Sequence, residues 1–244
     1  MTVQVLQSKS GIDLARQELR RLRLSHTSLP VVQLLRRIGR KLGLPTGVNV
    51  GDTIKSWDVL TTTRFIRQNV SPDTPILDIG AYASEILCVL HRLHYAALTG
   101  VDLNPALKRM PYAEAIRYEV ADFMRTPFPA GAFGAITAIS VIEHGFQSQS
   151  LLQEVTRLLR PGGYFIASFD YWPEKVDTTG IDIFGMDWRI FSKAEVLVFL
   201  DEARRYGLTP CGEVNLNALE QIIETIGRRY TFAWLALQKR GVLE

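Results

Sequence analysis

The sequence contains little cysteine and no long hydrophobic run. Its two cysteines, Cys88 and Cys211, lie far apart in 244 residues and lack the spacing of a metal site. We therefore expect two reduced thiols and no metal, as is usual for a cytoplasmic protein. No apolar stretch reaches the ~18 residues that a membrane span requires, and the N-terminus lacks the apolar core of a signal peptide.

Basic residues are concentrated near the N-terminus. The formal net charge is +3, but residues 1–45 carry nine Lys or Arg against two acidic residues, and the remainder carries nineteen against twenty-three. Apolar residues recur at helical intervals in this basic segment, and the Gly-Pro-rich stretch 43–47 breaks the pattern. These features predict a basic helical extension over residues 1–50 and a main domain over residues 51–244.

The basic extension has several possible roles. Basic amphipathic helices can lie on anionic membranes or bind acidic partners. More often such a stripe packs on its own domain with its charges in solvent, and we favour docking over a membrane surface. No aromatic residue is interleaved among the basic residues, and the main domain is mildly acidic, so we expect no nucleic-acid partner.

The stretch from Ile76 to Ser84 organises the main domain. Ile76, Leu77 and Ile79 form a short apolar run typical of a strand buried on both faces, and the apolar residues after Ser84 recur at helical intervals. A strand, a turn of small residues and a helix N-terminus can hold a cofactor at the carboxyl edge of a parallel sheet. The turn lacks the G-x-G-x-x-G pattern of a pyrophosphate site, so we do not expect a dinucleotide as the ligand.

Later predicted strands also end in polar residues. Residues 96–102 end in Asp102, about twenty residues after Gly80, where a carboxylate can accept both hydrogens of a ribose diol. Capping of the next turn is the alternative role for Asp102. Residues 116–121 precede Asp122 and Phe123, which suit an adenine amino group and ring.

Six elements over residues 76–170 together resemble the core of class I S-adenosylmethionine (SAM)-dependent methyltransferases. They are Asp78 with Gly80, then Asp102, Asp122 with Phe123, Thr126 to Pro129, Val141 to His144, and Leu159 to Gly163. The resemblance implies an α/β, Rossmann-like sheet of seven strands, mostly parallel with the last strand antiparallel, and SAM as the cofactor. It implies cofactor contacts from Asp78, Gly80, Ala81, Tyr82, Asp102, Leu103, Asp122, Phe123 and Ser140.

Tyr82 and Ser84 stand where the resemblance calls for glycines. A β-carbon at Tyr82 resists a positive φ and the close approach of a ligand, so we expect weaker cofactor binding or a differently shaped turn. Ser84 could instead cap the following helix. These departures motivate an alternative, namely a non-catalytic SAM-binding or scaffold protein with this fold.

Two residues are candidates for a general base. Methyl transfer from a sulfonium centre needs mainly orientation, but a hydroxyl acceptor also needs a proton acceptor. His144, just past the fourth predicted strand (residues 135–140), is the first candidate, with a purely structural histidine as the alternative. Asp170, at the end of the fifth predicted strand (residues 164–170), is the second. We therefore expect a transferase that methylates a small molecule, with a hydroxyl of the glycan or natural-product type preferred.

The remaining segments complete the predicted domain. Residues 171–191, rich in aromatic and acidic side chains, are expected either to build the acceptor pocket or to form a structural loop. Ser192 and Glu195 form a capping box that predicts a helix start. We expect a sixth strand over residues 208–214, a helix or lid over residues 216–227 and a last strand over residues 230–237.

Overall fold

The computed structural model of the protein describes residues 3–26, 38 and 48–241. The helices are α1 (Lys9–Arg21), α2 (Ser56–Asn69), α3 (Ile86–Arg92), α4 (Ser148–Leu158) and α5 (Lys193–Arg205), with 3-10 turns at Thr53–Lys55 and Pro105–Arg109. The strands are β1 (Val3–Val5), β2 (Ile76–Ile79), β3 (Leu98–Asp102), β4 (Arg117–Val120), β5 (Phe133–Ile139), β6 (Leu159–Tyr171), β7 (Asp182–Ile183), β8 (Met186–Asp187), β9 (Leu208–Pro210), β10 (Ile223–Thr225) and β11 (Arg228–Lys239).

The strands of the sheet run in the predicted directions, mostly parallel with an antiparallel last strand. Strands β4, β3, β2, β5 and β6 run parallel in that order, and β11 joins β6 in the antiparallel direction. Strand β9 pairs with the end of β11, and β1 and β10 pair with β11 as well, so the described sheet has nine strands where seven were expected. The α/β, Rossmann-like fold class is therefore confirmed. No helix in the described ranges combines the length and the hydropathy that a membrane crossing needs.

Strand β2 is central because its side chains are buried on both faces. Leu77 and Ile79 belong to the core on one side of the sheet, and Ile76 belongs to the core on the other. Burial of each such side chain contributes about 1.5–3 kcal/mol relative to exposure. Parallel strands buried on both faces place their carboxyl ends at one edge, where ligands of such sheets bind.

The N-terminal residues form part of the domain. Val3 to Val5 make a strand rather than the expected helix, and β1 pairs antiparallel with β11. The buried residues of α1, which include Ile12 and Leu19, recur at helical spacing, and this helix packs against α2. Residues 3–26 thus dock on the main domain, whereas the predicted second helix lies outside the described residues apart from Ile38.

The C-terminal third departs from expectation at one segment. Residues 216–227 do not form a helix, because β10 folds back on β11 as an antiparallel hairpin. Ile226 and Gly227, both with positive φ, make the two-residue turn of this hairpin. The capping box is confirmed, since the Ser192 hydroxyl accepts from the Glu195 amide and the Glu195 carboxylate accepts from the Ser192 amide at the start of α5.

Candidate functional site

Two adjoining cavities lie at the carboxyl edge of the parallel strands. We call them the Asp102 cavity, of about 630 Å³, and the Asp170 cavity, of about 340 Å³. The walls of both cavities include the same five residues, and the two spaces therefore meet where these residues lie. The shared residues are Gly80, Tyr82, Ser140, His144 and Phe184.

The turn between β2 and α3 shapes the border of both cavities. Gly80 has a φ of +70°, and a β-carbon there would lie 2.3 Å from a methyl group of Val141, so only glycine fits. The second left-handed residue is Ala83, with a φ of 61°. Tyr82 has no positive φ, so the expected backbone conflict at this residue is wrong, while weaker cofactor binding stays a prediction. The strained left-handed backbone conformation, which costs on the order of 1 kcal/mol, is that of Ala83, one residue after Tyr82.

Asp102 is held in place by the backbone around it. Its Oδ2 accepts a hydrogen bond from the Tyr82 amide at 2.9 Å, and its Oδ1 accepts from the Asn104 amide at 2.8 Å. Each carboxylate oxygen has two acceptor positions, so each can still accept one more hydrogen. The capping role and the ribose role of Asp102 are therefore compatible.

Six of the nine predicted cofactor contacts line the Asp102 cavity. The walls contain Gly80, Tyr82, Asp102, Leu103, Phe123 and Ser140. The side chain of Ser140 is suited to a ligand, because its Oγ is buried and has no hydrogen-bond partner among the described residues. These six residues form one continuous surface at the ends of β2, β3 and β5 and beyond the end of β4.

The other three predicted contacts lie elsewhere. Asp78 is buried beneath the turn, where its Oδ1 accepts from the Thr137 hydroxyl at 2.6 Å, and burial raises the pKa of its carboxyl to about 7. Ala81 is buried and its amide donates to the Val101 carbonyl. Asp122 is exposed, and its Oδ1 accepts from the Met124 amide at 2.9 Å. Direct cofactor contact by these three residues stays a prediction.

His144 lies where the two cavities meet. Its Nδ1 is buried without a hydrogen-bond partner among the described residues, and its ring packs edge-on against Phe184 at 5.3 Å between centroids. Burial, and next the positive charge of Lys55, lowers the pKa of His144 to about 4. The imidazole is therefore neutral at pH 7 and can accept a proton.

Asp170 forms the floor of the second cavity. Its side chain is almost fully buried, with Oδ2 accepting from the Trp188 indole at 2.8 Å. Lys55 Nζ lies 3.7 Å from Asp170 Oδ1 and 3.7 Å from the centre of the Phe232 ring. Burial raises the pKa of Asp170, while Lys55 opposes the shift. The protonated form of Asp170 is therefore favoured more than that of an exposed aspartate.

Two further buried carboxyl groups lie around Lys55. Glu143, before His144, is 1% exposed, and its Oε2 has no hydrogen-bond partner among the described residues. Asp58, on α2, is fully buried with both oxygens unpartnered within the same set. Burial raises the pKa of Asp58 to about 7 and that of Glu143 well above its usual range. We did not predict Lys55, Asp58 or Glu143 as site residues, although Glu143 adjoins His144 in sequence.

A short hairpin borders both cavities. Strands β7 and β8 are joined by Phe184 and Gly185, both with positive φ, and Phe184 at the tip is 83% exposed. Backbone hydrogen bonds from Gly145 to Asp187 (2.8 Å) and from Arg189 to Glu143 (2.9 Å) fasten the hairpin to the end of β5. Part of the predicted acceptor segment, residues 171–191, thus lines the Asp170 cavity. In the described ranges, no group of three or more His, Cys, Asp or Glu is arranged to hold a metal ion.

Comparison with known sequences agrees with this geometry. Residues 77–167 match the family model described as a methyltransferase domain. A fatty-acid O-methyltransferase of Mycolicibacterium smegmatis is 28% identical over 151 residues, which cover 60% of this chain and 51% of that protein. The chain spans between about a quarter and a half of the length of the curated relatives it matches.

Solved structures show the same fold over almost the whole chain. A geranyl diphosphate C-methyltransferase from Streptomyces coelicolor, solved with S-adenosyl-L-homocysteine, superposes with a TM-score of 0.57 at 17% identity, covering 95% of this chain and 98% of that one. The [4+2]-cyclase SpnF superposes with a TM-score of 0.60 at 15% identity, covering 98% and 99%. The family match and the strand order lead to one conclusion: residues 77–167 match a methyltransferase domain, and they lie in a sheet of the class I, Rossmann-like fold.

Proposed function

We propose that this protein is a SAM-dependent methyltransferase that acts on a small molecule, and that the methylated atom is a hydroxyl oxygen. The observation that carries the proposal is the junction of the two cavities at His144. One cavity has the residues for a nucleoside, the other is large enough for part of a small acceptor, and a neutral imidazole lies where they meet.

The described residues fit SAM. Asp102 retains one acceptor position on each oxygen for the ribose hydroxyls. Leu103 and Phe123 offer apolar surface beside the adenine position, and the unpartnered Ser140 hydroxyl can bond to the methionine part near the second cavity. When bound, SAM supplies a methyl group that is already activated on a positively charged sulfur.

The residues of the protein then have two tasks. The cavity walls hold the acceptor oxygen in line with the activated methyl group and exclude water, which lowers the entropic part of the barrier. His144 accepts the hydroxyl proton as the oxygen is methylated, because its ring is uncharged and the residue lines both cavities. His144 is therefore the preferred base, while Asp170 is less accessible because it bonds to Trp188 and lies beside Lys55.

The test uses the purified full-length protein. We expect S-adenosyl-L-homocysteine to bind in isothermal titration calorimetry, and labelled SAM to transfer its methyl group to a member of a panel of small alcohols, phenols and sugars. Exclusive transfer to carbon or nitrogen acceptors would contradict the hydroxyl assignment. If neither SAM nor S-adenosyl-L-homocysteine bound, the result would contradict the proposal that this protein is a SAM-dependent enzyme.

A second candidate is a non-catalytic SAM-binding or scaffold protein. Tyr82, which lines both cavities, and the strained Ala83 favour it, because motif glycines would leave more space here. Cofactor binding without methyl transfer to any acceptor class would support this candidate, and one labelled product would exclude it.

A further inference from the structure

The Asp170 cavity has more buried carboxyl groups than positive charges. Glu143 and Asp170 line the cavity, and Asp58 lies close enough to interact electrostatically with both. Lys55 is the only cationic side chain among the described residues that line this cavity. Because Lys55 Nζ is nearest Asp170 Oδ1 and also packs over Phe232, it can neutralise only part of this group.

Two carboxylate oxygens in the cavity wall lack hydrogen-bond donors. Glu143 Oε2 and Asp170 Oδ1 belong to side chains that are more than nine-tenths buried, and neither accepts a hydrogen bond from the described residues. Buried carboxylates are normally paired, bonded or protonated. Glu143 Oε2 has no partner among the described residues, and Asp170 Oδ1 has only Lys55 Nζ at 3.7 Å, beyond hydrogen-bond distance, so this pair of oxygens indicates a ligand that brings its own donors.

The walls beside these oxygens are aromatic. Trp188 and Tyr230 are buried, Phe184 is exposed, and all three residues line the cavity. Aromatic faces next to carboxylates attract an organic cation through both charge and the ring quadrupole. A bare metal ion suits this site poorly, because the described residues contain no metal-holding cluster and aromatic rings are not its usual ligands.

We propose that the acceptor carries an amino group that binds as an ammonium between Glu143 and Asp170, while its methylated hydroxyl faces His144. This inference rests on the proposed function and narrows it to amino alcohols and amino sugars as the substrate class. An ammonium has three donors and no acceptor, which matches two carboxylate oxygens that accept no hydrogen bond from the described residues. Held in this way, the amino group orients the acceptor and leaves the hydroxyl next to the neutral imidazole.

The experiment compares two probes that differ in one group. Benzylamine and benzyl alcohol are titrated into the full-length protein saturated with S-adenosyl-L-homocysteine, and binding is followed by ligand-observed NMR at pH 7.5. We expect benzylamine to bind about tenfold more tightly than the alcohol, as a charge-assisted hydrogen bond adds to a shared apolar contact. Equal affinity, preference for the alcohol or binding of neither probe would overturn the inference.

Two near-isosteric variants locate the amine. Glu143→Gln and Asp170→Asn should each weaken benzylamine binding about tenfold while changing benzyl alcohol binding less than about twofold. Asp201→Asn removes an exposed carboxylate on α5, remote in sequence and paired with Arg204, and should change neither. Unchanged benzylamine affinity in both Glu143→Gln and Asp170→Asn would overturn the inference.

The same titrations distinguish a failure of the amino-acceptor inference from a failure of the proposed methyltransferase function. Titration of S-adenosyl-L-homocysteine into each variant reports on folding and on the cofactor cavity before any probe is added. Normal nucleoside binding without an amine preference would reject the amino acceptor and leave the methyltransferase proposal standing. Absence of nucleoside binding in the unmodified protein would reject the proposed function itself.

Discussion

The two cavities that meet at His144 differ in how their carboxylates are partnered. Each oxygen of Asp102 already accepts one backbone hydrogen bond, whereas Glu143 Oε2 and Asp170 Oδ1 accept none from the described residues. A carboxylate that accepts two backbone hydrogen bonds is fixed in position before a ligand arrives. A buried and unpartnered one holds a proton or attracts a cation. The first cavity is thus prepared for neutral hydroxyl groups, and the second for positive charge.

The largest effect is expected on ligand affinity in the first cavity, from the substitution Asp102→Ala. The variant loses the two ribose hydrogen bonds and frees the amides of Tyr82 and Asn104, so affinity for S-adenosyl-L-homocysteine should fall about 1000-fold, or ~4 kcal/mol. Calorimetric titration measures this change. Asp73→Ala, which removes an exposed carboxylate before β2, is the control and should bind normally. A fall of less than about threefold in Asp102→Ala would show that the carboxylate does not hold the cofactor.

A stability effect of similar size is expected from Asp58, which interacts electrostatically with Lys55 and Asp170 of the second cavity. Burial raises the pKa of Asp58 from 3.8 to about 7, so the folded state keeps a proton that the unfolded chain loses above pH 4. Asp58 therefore makes the protein less stable as pH rises from about 4 to 7, with the cost levelling off above pH 7. At roughly 1.4 kcal/mol per pKa unit, the cost is on the order of 4 kcal/mol.

Asp58→Asn removes this ionisation. Relative to the unmodified protein, its free energy of unfolding should be similar near pH 4 and increasingly higher toward pH 7. Urea unfolding at several pH values measures the difference. A difference that is constant with pH would mean that Asp58 is ionised in the folded protein.

The next largest effect is expected from His144, one of the five residues that line both cavities. His144→Ala should lower kcat about 100-fold, the lower end of the range for a general base, and leave S-adenosyl-L-homocysteine affinity within about threefold. Because burial lowers the pKa of His144 to about 4, loss of kcat from its protonation should begin near pH 4 rather than near pH 6.5. A variant with unchanged kcat would assign His144 a structural role.

The smallest effect is expected from Phe184→Ala. The ring contacts His144 and lines both cavities from an exposed position, so its removal should raise KM for the acceptor about fivefold, or ~1 kcal/mol, with little change in kcat. Steady-state kinetics with an acceptor from the panel measure this. Phe184→Leu, which keeps apolar area, should recover most of the loss.

Sequence reasoning succeeded where the signal is local. Asp102 follows a short apolar strand at a fixed distance from Gly80, and both the order of strands and the cavity at their carboxyl ends follow from such units. The positive φ was assigned to the wrong residue because the motif specifies a tight turn but not which peptide bends. Ala83 takes that conformation, and Tyr82 does not.

The second cavity could not be assembled from sequence alone. The cavity combines Asp170, a candidate from the sequence, with Lys55, Glu143 and Tyr230, which come from distant segments and which no local pattern marks as site residues. Only the pairing of β11 with β6 and the packing of α2 bring them together. The sequence predicts a helix or lid over residues 216–227, whereas antiparallel pairing with β11 determines the structure of Ile223 to Thr225.

The pairing of β1 has a practical consequence for handling the protein. Strand β6 occupies one side of β11 over residues 231–238, so β1 and β9 lie end to end along its other side. Deleting residues 1–7 would uncover a row of backbone N–H and C=O groups on a long apolar strand, which is a template for intermolecular pairing. Shortened forms that start after Val5 should aggregate, and affinity tags that disturb this end should be moved to the other terminus.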